Sequence, residues 1–217
     1  HNDPLDHDED GLSSAMMNSG LVAAVRTVTD GDGDSANDSV DVSQVIKLED
    51  DGPDTTLDLK AGAEVRVDES LGQNGAPETE PAGSLGRVTV LSAVLFEKLD
   101  AFGSDGPGAT ASDYALVLSE QGADSGLKDS DTGSSVLLYN IDSDTVVGRV
   151  GGIGGAEVFR ASINSAGDVT LDQSRAMVHG DPLDHDEADT YLSIASGKLF
   201  AERTITDGDG DQDKDPA

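Results

Sequence analysis

The chain has 217 residues, room for one large or two small domains, and carries 44 acidic against 13 basic side chains for a formal charge of −31. That balance excludes charge-driven binding to nucleic-acid phosphates, which needs Lys and Arg, and it repels anionic membrane surfaces. Cysteine is absent, so disulfides and thiolate metal sites are excluded as well. Self-repulsion on this scale opposes compaction, and bound divalent cations would relieve it. Aromatic residues are only 3%, which makes any core thin and aliphatic. No apolar run approaches the roughly 20 residues of a membrane-spanning helix. The chain starts at His1 without an initiator Met or a basic-then-apolar leader, and is expected to be a piece of a longer protein.

Taken in chain order, the predicted elements are almost all strands. A helical turn is expected near 12–19. Short runs rich in β-branched residues, bounded by Gly, Asp, Ser and Asn, predict strands at 21–29, 39–46, 64–67, 87–90, 114–118, 135–139, 145–150, 158–163, 168–171 and 199–206. Val94, Leu95, Leu99 and Phe102 fall at helical spacing and predict a helix over 92–102. Asn164-Ser165-Ala166-Gly167-Asp168 reads as a hairpin loop. Many short strands with Gly-rich turns predict an all-β, Ig-like β-sandwich.

The chain also repeats itself. Asp3-Pro4-Leu5-Asp6-His7-Asp8-Glu9 returns as Asp181-Pro182-Leu183-Asp184-His185-Asp186-Glu187, 178 residues on. Arg26-Thr27-Val28-Thr29-Asp30-Gly31-Asp32-Gly33-Asp34 returns 177 residues on as Arg203-Thr204-Ile205-Thr206-Asp207-Gly208-Asp209-Gly210-Asp211. The expected division is therefore 1–50 as the C-terminal part of one repeat, 51–54 as a linker, and 55–217 as a nearly complete β-sandwich repeat.

Each Asp-Gly-Asp-Gly-Asp run offers carboxylates at alternate positions, which share a face in an extended chain, with glycines that let the backbone turn. Carboxylates facing one point repel unless a cation sits among them, and Ca²⁺ is the hard, geometrically tolerant ion that oxygen ligands select. Candidate ligands are Asp30, Asp32, Asp34 and Asp38, and in the second copy Asp207, Asp209, Asp211 and Asp213. The alternative is an exposed acidic loop with no ion. An EF-hand is disfavoured, because Asp41 stands where its twelfth-position Glu belongs and Ser35 follows Asp34 where glycine is required. In the linker, Glu49, Asp50 and Asp51 precede Gly52-Pro53 and form a second candidate locus, with Asp68 contributed from the next unit's first loop. A flexible, solvated linker is the competing reading. His7 and His185 lack the three or four convergent ligands that zinc needs and are expected to make structural hydrogen bonds.

The motifs Leu5-Asp6-His7, Val28-Thr29-Asp30-Gly31-Asp32-Gly33-Asp34, Glu49-Asp50-Asp51-Gly52-Pro53 and Val67-Asp68-Glu69-Ser70 stand in this order in the chain. Val158-Phe159, Gly167 and the second Leu183-Asp184-His185 follow. In this order they resemble the tandem repeats of type I-secreted, RTX-type bacterial adhesins, over most of the chain. The resemblance implies secreted β-sandwich extender domains at the bacterial cell surface, joined end to end with neighbouring repeats. It implies that Ca²⁺ at the linkers stiffens the string into a rod. The rod would hold a distal binding domain away from the cell, for attachment and biofilm formation. The chain departs from the pattern in stopping before any second counterpart of 39–51, and in holding only the tail of a first unit. Gly151-Gly152-Ile153-Gly154-Gly155 is similar to the glycine-rich RTX nonapeptide, but lacks the following Asp and tandem copies, and is expected to be a flexible loop.

An enzyme is not expected. There is no Gly-x-Ser-x-Gly elbow and no Cys nucleophile, and acidic residues are too abundant for a carboxylate pair to be diagnostic. The alternative function is a Ca²⁺-dependent module binding sugar or protein; a chain with no Trp, three Tyr and four Phe has little from which to build an aromatic platform. The 30–34 turn and the linker acids are expected to lie together at the joint between units.

Overall fold

A computed structural model describes residues 14–49, 51–69, 82–179 and 191–217. The expected motifs at 5–7 and 183–185, with His7 and His185, and Asp50 of the linker lie outside the described residues, as do 12 and 13 of the expected helical turn.

The N-terminal part contains β1 (Ser14–Met16), β2 (Ala23–Thr29), β3 (Ser35–Asp41) and β4 (Lys47–Glu49). β2 and β3 form one antiparallel hairpin, and β1 pairs with β4. A polar knot closes the hairpin's base. Buried Ser43 accepts the Leu21 and Val22 N–H groups through its hydroxyl and donates that hydroxyl to Asp41 Oδ1 at 2.6 Å. Ser19 and Gly20 donate to the other Asp41 oxygen. These hydroxyl and N–H donors, Ser43 first, hold the Asp41 carboxyl far below the usual aspartate range.

The larger part runs through β5 (Asp54–Leu59), β6 (Gly86–Val90), the single helical turn α1 (Ser92–Leu95), β7 (Phe96–Ala101), β8 (Pro107–Leu118) and β9 (Ala123–Lys128). It continues with β10 (Ser135–Asn140), β11 (Thr145–Val150), β12 (Glu157–Ile163), β13 (Val169–Gln173), β14 (Leu199–Asp207) and β15 (Gln212–Pro216). Every pairing is antiparallel. One sheet has the order β6-β13-β12-β11-β10-β9; opposite it stand β15-β14-β8 and the pair β5-β7. β5 joins β15 without a backbone ladder: the N–H groups of Thr55 and Leu57 donate to the Asp213 and Asp215 carboxylates, each at 2.7 Å. Side-chain oxygens thus satisfy backbone donors that a neighbouring strand would otherwise take.

The architecture is all-β and sandwich-like, with the core between the two layers. Alternating side chains of β9, β10 and β12 put Leu127, Val136, Leu138, Phe159, Ala161 and Ile163 inside, against Leu57, Tyr114 and Leu116 of the facing strands. At Gly148 on β11 the core leaves no room for a side chain. A methyl group there would run into the ring of Phe159, its cross-strand partner. Gly148→Ala is therefore expected to cost about 1–3 kcal/mol by overpacking, read from urea denaturation followed by circular dichroism. An unchanged midpoint would show that the ring can move aside.

Several elements differ from the expectation. The helix predicted at 92–102 stops at Leu95, and 96–101 is strand β7, paired along β5. Helical spacing would have buried Val94 and Leu99; both are exposed, and the available ladder partner decided the outcome. The strand expected at 39–46 is β3 at 35–41, ended by an Asp41–Ser43 turn. Residues 64–67 form no strand, although Val65 still packs on the core. Met16 lies in a strand rather than a helical turn. β5 begins at Asp54, inside the expected linker. The hairpin at 164–168 forms, with Asn164 accepting the Ala166 and Asp168 N–H groups. The 151–155 run is a hydrogen-bonded turn, Gly155 N–H donating to the Gly152 carbonyl.

Candidate metal centres

The two Asp-Gly-Asp-Gly-Asp runs fold into the same turn. In the first, Asp30 N–H donates to the Asp34 carbonyl at 2.9 Å, and Asp30 Oδ1 accepts the N–H groups of Asp32, Gly33 and Asp34. In the second, Asp207 N–H donates to the Asp211 carbonyl at 3.0 Å, and Asp207 Oδ1 accepts from Gly210 and Asp211. Gly33 and Gly210 adopt φ of 102° and 113°, a region that disfavours any side chain. The leading aspartate thus organises the loop, and the following two carboxylates turn inward. Contact with the Asp32 carboxyl, then the Asp34 N–H, lowers the Asp30 pKa.

One ligand oxygen from each of Asp30, Asp32 and Asp34 lies within 4.8 Å of the others, and the same holds for Asp207, Asp209 and Asp211. An all-oxygen, triply anionic donor set suits a hard divalent cation such as Ca²⁺. The first triplet is exposed at the tip of β2–β3. The second is sunk into the fold, with Asp207 only 2% exposed. Gly208 explains how it sits so deep: a Cβ there would stand 2.5 Å from the Asp105 carbonyl oxygen in the β7–β8 loop.

The remaining candidates are dispersed. Asp38 lies on β3 opposite Arg26, and Asp213 on β15 opposite Ile205, with Asp213 Oδ2 engaged by the Thr55 N–H. Neither joins its triplet. Glu49 ends β4 opposite Ser14, and Asp68 is exposed in an irregular segment. Asp51 is exposed, and its carbonyl closes on Gly103 in the same β7–β8 loop that meets Gly208. The turn at 30–34 lies at the tip of a hairpin with seven-residue strands, ~23 Å along β3 from Asp41, beyond which the chain continues through β4 to the linker. The turn near Asp51 is the second copy, at 207–211.

Sequence reasoning missed the buried ion pair beside this turn. Arg203 on β14 donates through Nε and Nη2 to the two Asp100 oxygens at 2.8 and 2.7 Å. Thr55 Oγ1 adds a donor to Asp100 at 2.9 Å, and the guanidinium lies 4.9 Å above the Tyr114 ring. The Arg203 hydrogen bonds hold the Asp100 carboxyl below its usual range, against the effect of burial. The repeated Arg-Thr-(Val/Ile)-Thr was the available signal, since an arginine kept within a strand of each copy invites a carboxylate partner. A second ion pair joins Arg175 to Asp129, at 2.8 Å.

A protein-family model described as a domain of unknown function (DUF5801) matches residues 64–217. No curated protein and no solved structure matches the chain.

Proposed function

We propose a spacer role for this chain, which belongs to the DUF5801 family of domains of unknown function. It is a Ca²⁺-stabilised extender repeat of a large, type I-secreted, RTX-type adhesin at the bacterial surface. It holds a distal binding domain away from the cell for attachment and biofilm formation, with neighbouring repeats as its partners and no catalysis of its own. The observation that carries this reading is the return of one whole hairpin after 177 residues, in the same register and with the same turn. Recurrence at that length is how a tandem array of domains is written in sequence. The sunken triplet at 207–211 supports calcium at the pole where Asp51 meets the β7–β8 loop. Asp207, Asp209 and Asp211 would hold the ion, which would neutralise their mutual repulsion and fix the turn against that loop.

Calorimetry of the chain in saturating Ca²⁺ and in excess chelator tests this. At a hundredfold excess over Kd, binding to the native state adds about 2.7 kcal/mol, or roughly 5–11 °C in Tm for a chain of this size. Combined Asp207→Asn, Asp209→Asn and Asp211→Asn substitution is expected to abolish the response. Superimposable melting and small-angle scattering curves with and without calcium would sink the proposal.

A further inference from the structure

The β2–β3 hairpin carries an interaction surface, and its repeat copy shows what that surface is shaped to meet. All seven residues of each strand are exposed. An isolated two-stranded hairpin is marginal in water, because each strand lacks one neighbour and neither face is covered. The matching hairpin β14–β15 has both. β8 pairs along β14, β5 lies against β15, and Ile205 is fully buried, whereas its counterpart Val28 is 55% exposed.

The correspondence extends to the polar contacts. Arg26 faces Asp38 across the first hairpin, as Arg203 faces Asp215 across the second. In the second copy Arg203 grips Asp100 on β7, and Asp215 accepts the Leu57 N–H of β5. Arg26 and Asp38 keep both side chains in place on an open surface. Gly31 provides an independent observation. Nothing lies within 4 Å of a Cβ built there, and its backbone is not in the left-handed region, so nothing local requires glycine. At the matching Gly208 a Cβ would stand 2.5 Å from the Asp105 carbonyl oxygen of the β7–β8 loop. Gly31 is thus the residue that a docked β7–β8 loop would demand.

We infer that β2–β3 is the closing hairpin of a second unit of this same repeat. It seats in the cleft between that unit's counterparts of β5 and β8. Arg26 then grips the counterpart of Asp100, Asp38 accepts the N–H at the position of Leu57, Val28 enters the core, and Gly31 meets the β7–β8 loop. In this chain the cleft is filled by β14–β15, so the hairpin's partner is another unit. Ala36, Val25 and Asn37 stand where Asp213, Glu202 and Lys214 stand in the second copy. The partner therefore lacks the Asp213–Thr55 contact and the Glu202–Lys214 pair seen here. The inference rests on the tandem-repeat part of the spacer reading and is independent of calcium.

The test is a graft within the full chain. Residues 199–216 are replaced by a copy of residues 22–39, an exchange of equal length at the repeat offset. The expected result is a cooperative thermal transition within ~10 °C of the parent, where a scrambled 22–39 graft gives none. Arg26→Gln made in the grafted copy is expected to lower that Tm by several degrees, and the same change in the native hairpin to leave Tm unmoved. A second graft carrying Ala36→Asp restores the acceptor for the Thr55 N–H. If both grafts behave like the scrambled control, or if grafted Arg26→Gln has no effect, the inference is overturned. The calcium response of the unmodified chain is a separate readout, so failure of the graft and failure of the calcium reading are distinguishable.

Discussion

Replacing Arg203 by alanine is expected to destabilise the fold by about 3 kcal/mol, the low end of the cost of breaking a buried ion pair. The same replacement at Arg26 is expected to change stability by no more than about 0.5 kcal/mol, as for an ordinary surface position. The two arginines sit in the same repeated motif, at the same strand position and in the same hairpin register. Only their surroundings differ. Arg203 is 3% exposed, makes two short hydrogen bonds to Asp100 and stacks on Tyr114. Its removal strands Asp100 at the junction of β5, β7 and β14, where Thr55 Oγ1 remains as a donor. Urea unfolding of both variants measures the contrast, and a double variant with Asp100→Ala isolates the pair. Equal effects at the two positions would mean that the buried pair contributes nothing beyond a surface arginine.

The second large effect is expected at Asp129, which is 1% exposed. Its carboxylate accepts Nε and Nη2 of Arg175 at 2.8 and 3.2 Å, and the N–H and hydroxyl of Thr132 at 3.0 and 2.8 Å. The turn after β9 is thereby tied to the segment following β13. Asp129→Ala removes the acceptor of four hydrogen bonds, of whose donors Arg175 Nη2 keeps a second acceptor, Asp131 Oδ2 at 2.9 Å, and is expected to cost about 3 kcal/mol, or roughly 6–12 °C in Tm. Acid should act on the same groups. The Arg175 hydrogen bonds hold Asp129, and those of Arg203 hold Asp100, below the ordinary value of 3.8. A lowered native pKa means that the unfolded chain binds the proton first as pH falls. The stabilisation is therefore complete above the ordinary value and is lost below it, as pH drops through the native pKa of each group. Thermal melts from neutral pH down to about pH 2 are expected to be steepest below 3.8 in the parent and shallower in Asp129→Ala. Parallel profiles for parent and variant would remove Asp129 from the acid response.

The strands easiest to read in the sequence were those whose own composition decided their state. β11 and β12 are runs of β-branched and apolar residues, and their turn-bounded limits match the expectation to within a residue. β15, with sequence Gln-Asp-Lys-Asp-Pro, carries no such signal. It is a strand because β14 offers a ladder and because Asp213 and Asp215 serve as acceptors for β5. β9 is similarly hidden, since its alternation runs through Ala123, Ser125 and Leu127, and two of these are small. β7 went the other way, with a helical spacing overruled by pairing to β5.

The acidic triplets were legible, because three carboxylates separated by single glycines define a tight turn without outside help. The turn forms twice, each time with the leading Asp N–H on the last Asp carbonyl and its Oδ1 accepting from the two residues that close the turn, once exposed and once with its leading Asp buried. By itself the sequence determined the all-β class, the repeat, and the identity and local shape of these turns, since each depends on residues adjacent in the chain. Only the tertiary structure decided which turn lies near Asp51, which arginine is buried, and which hairpin has its neighbours. Those outcomes depend on β5, β7 and β8, which approach from up to 158 residues away along the chain.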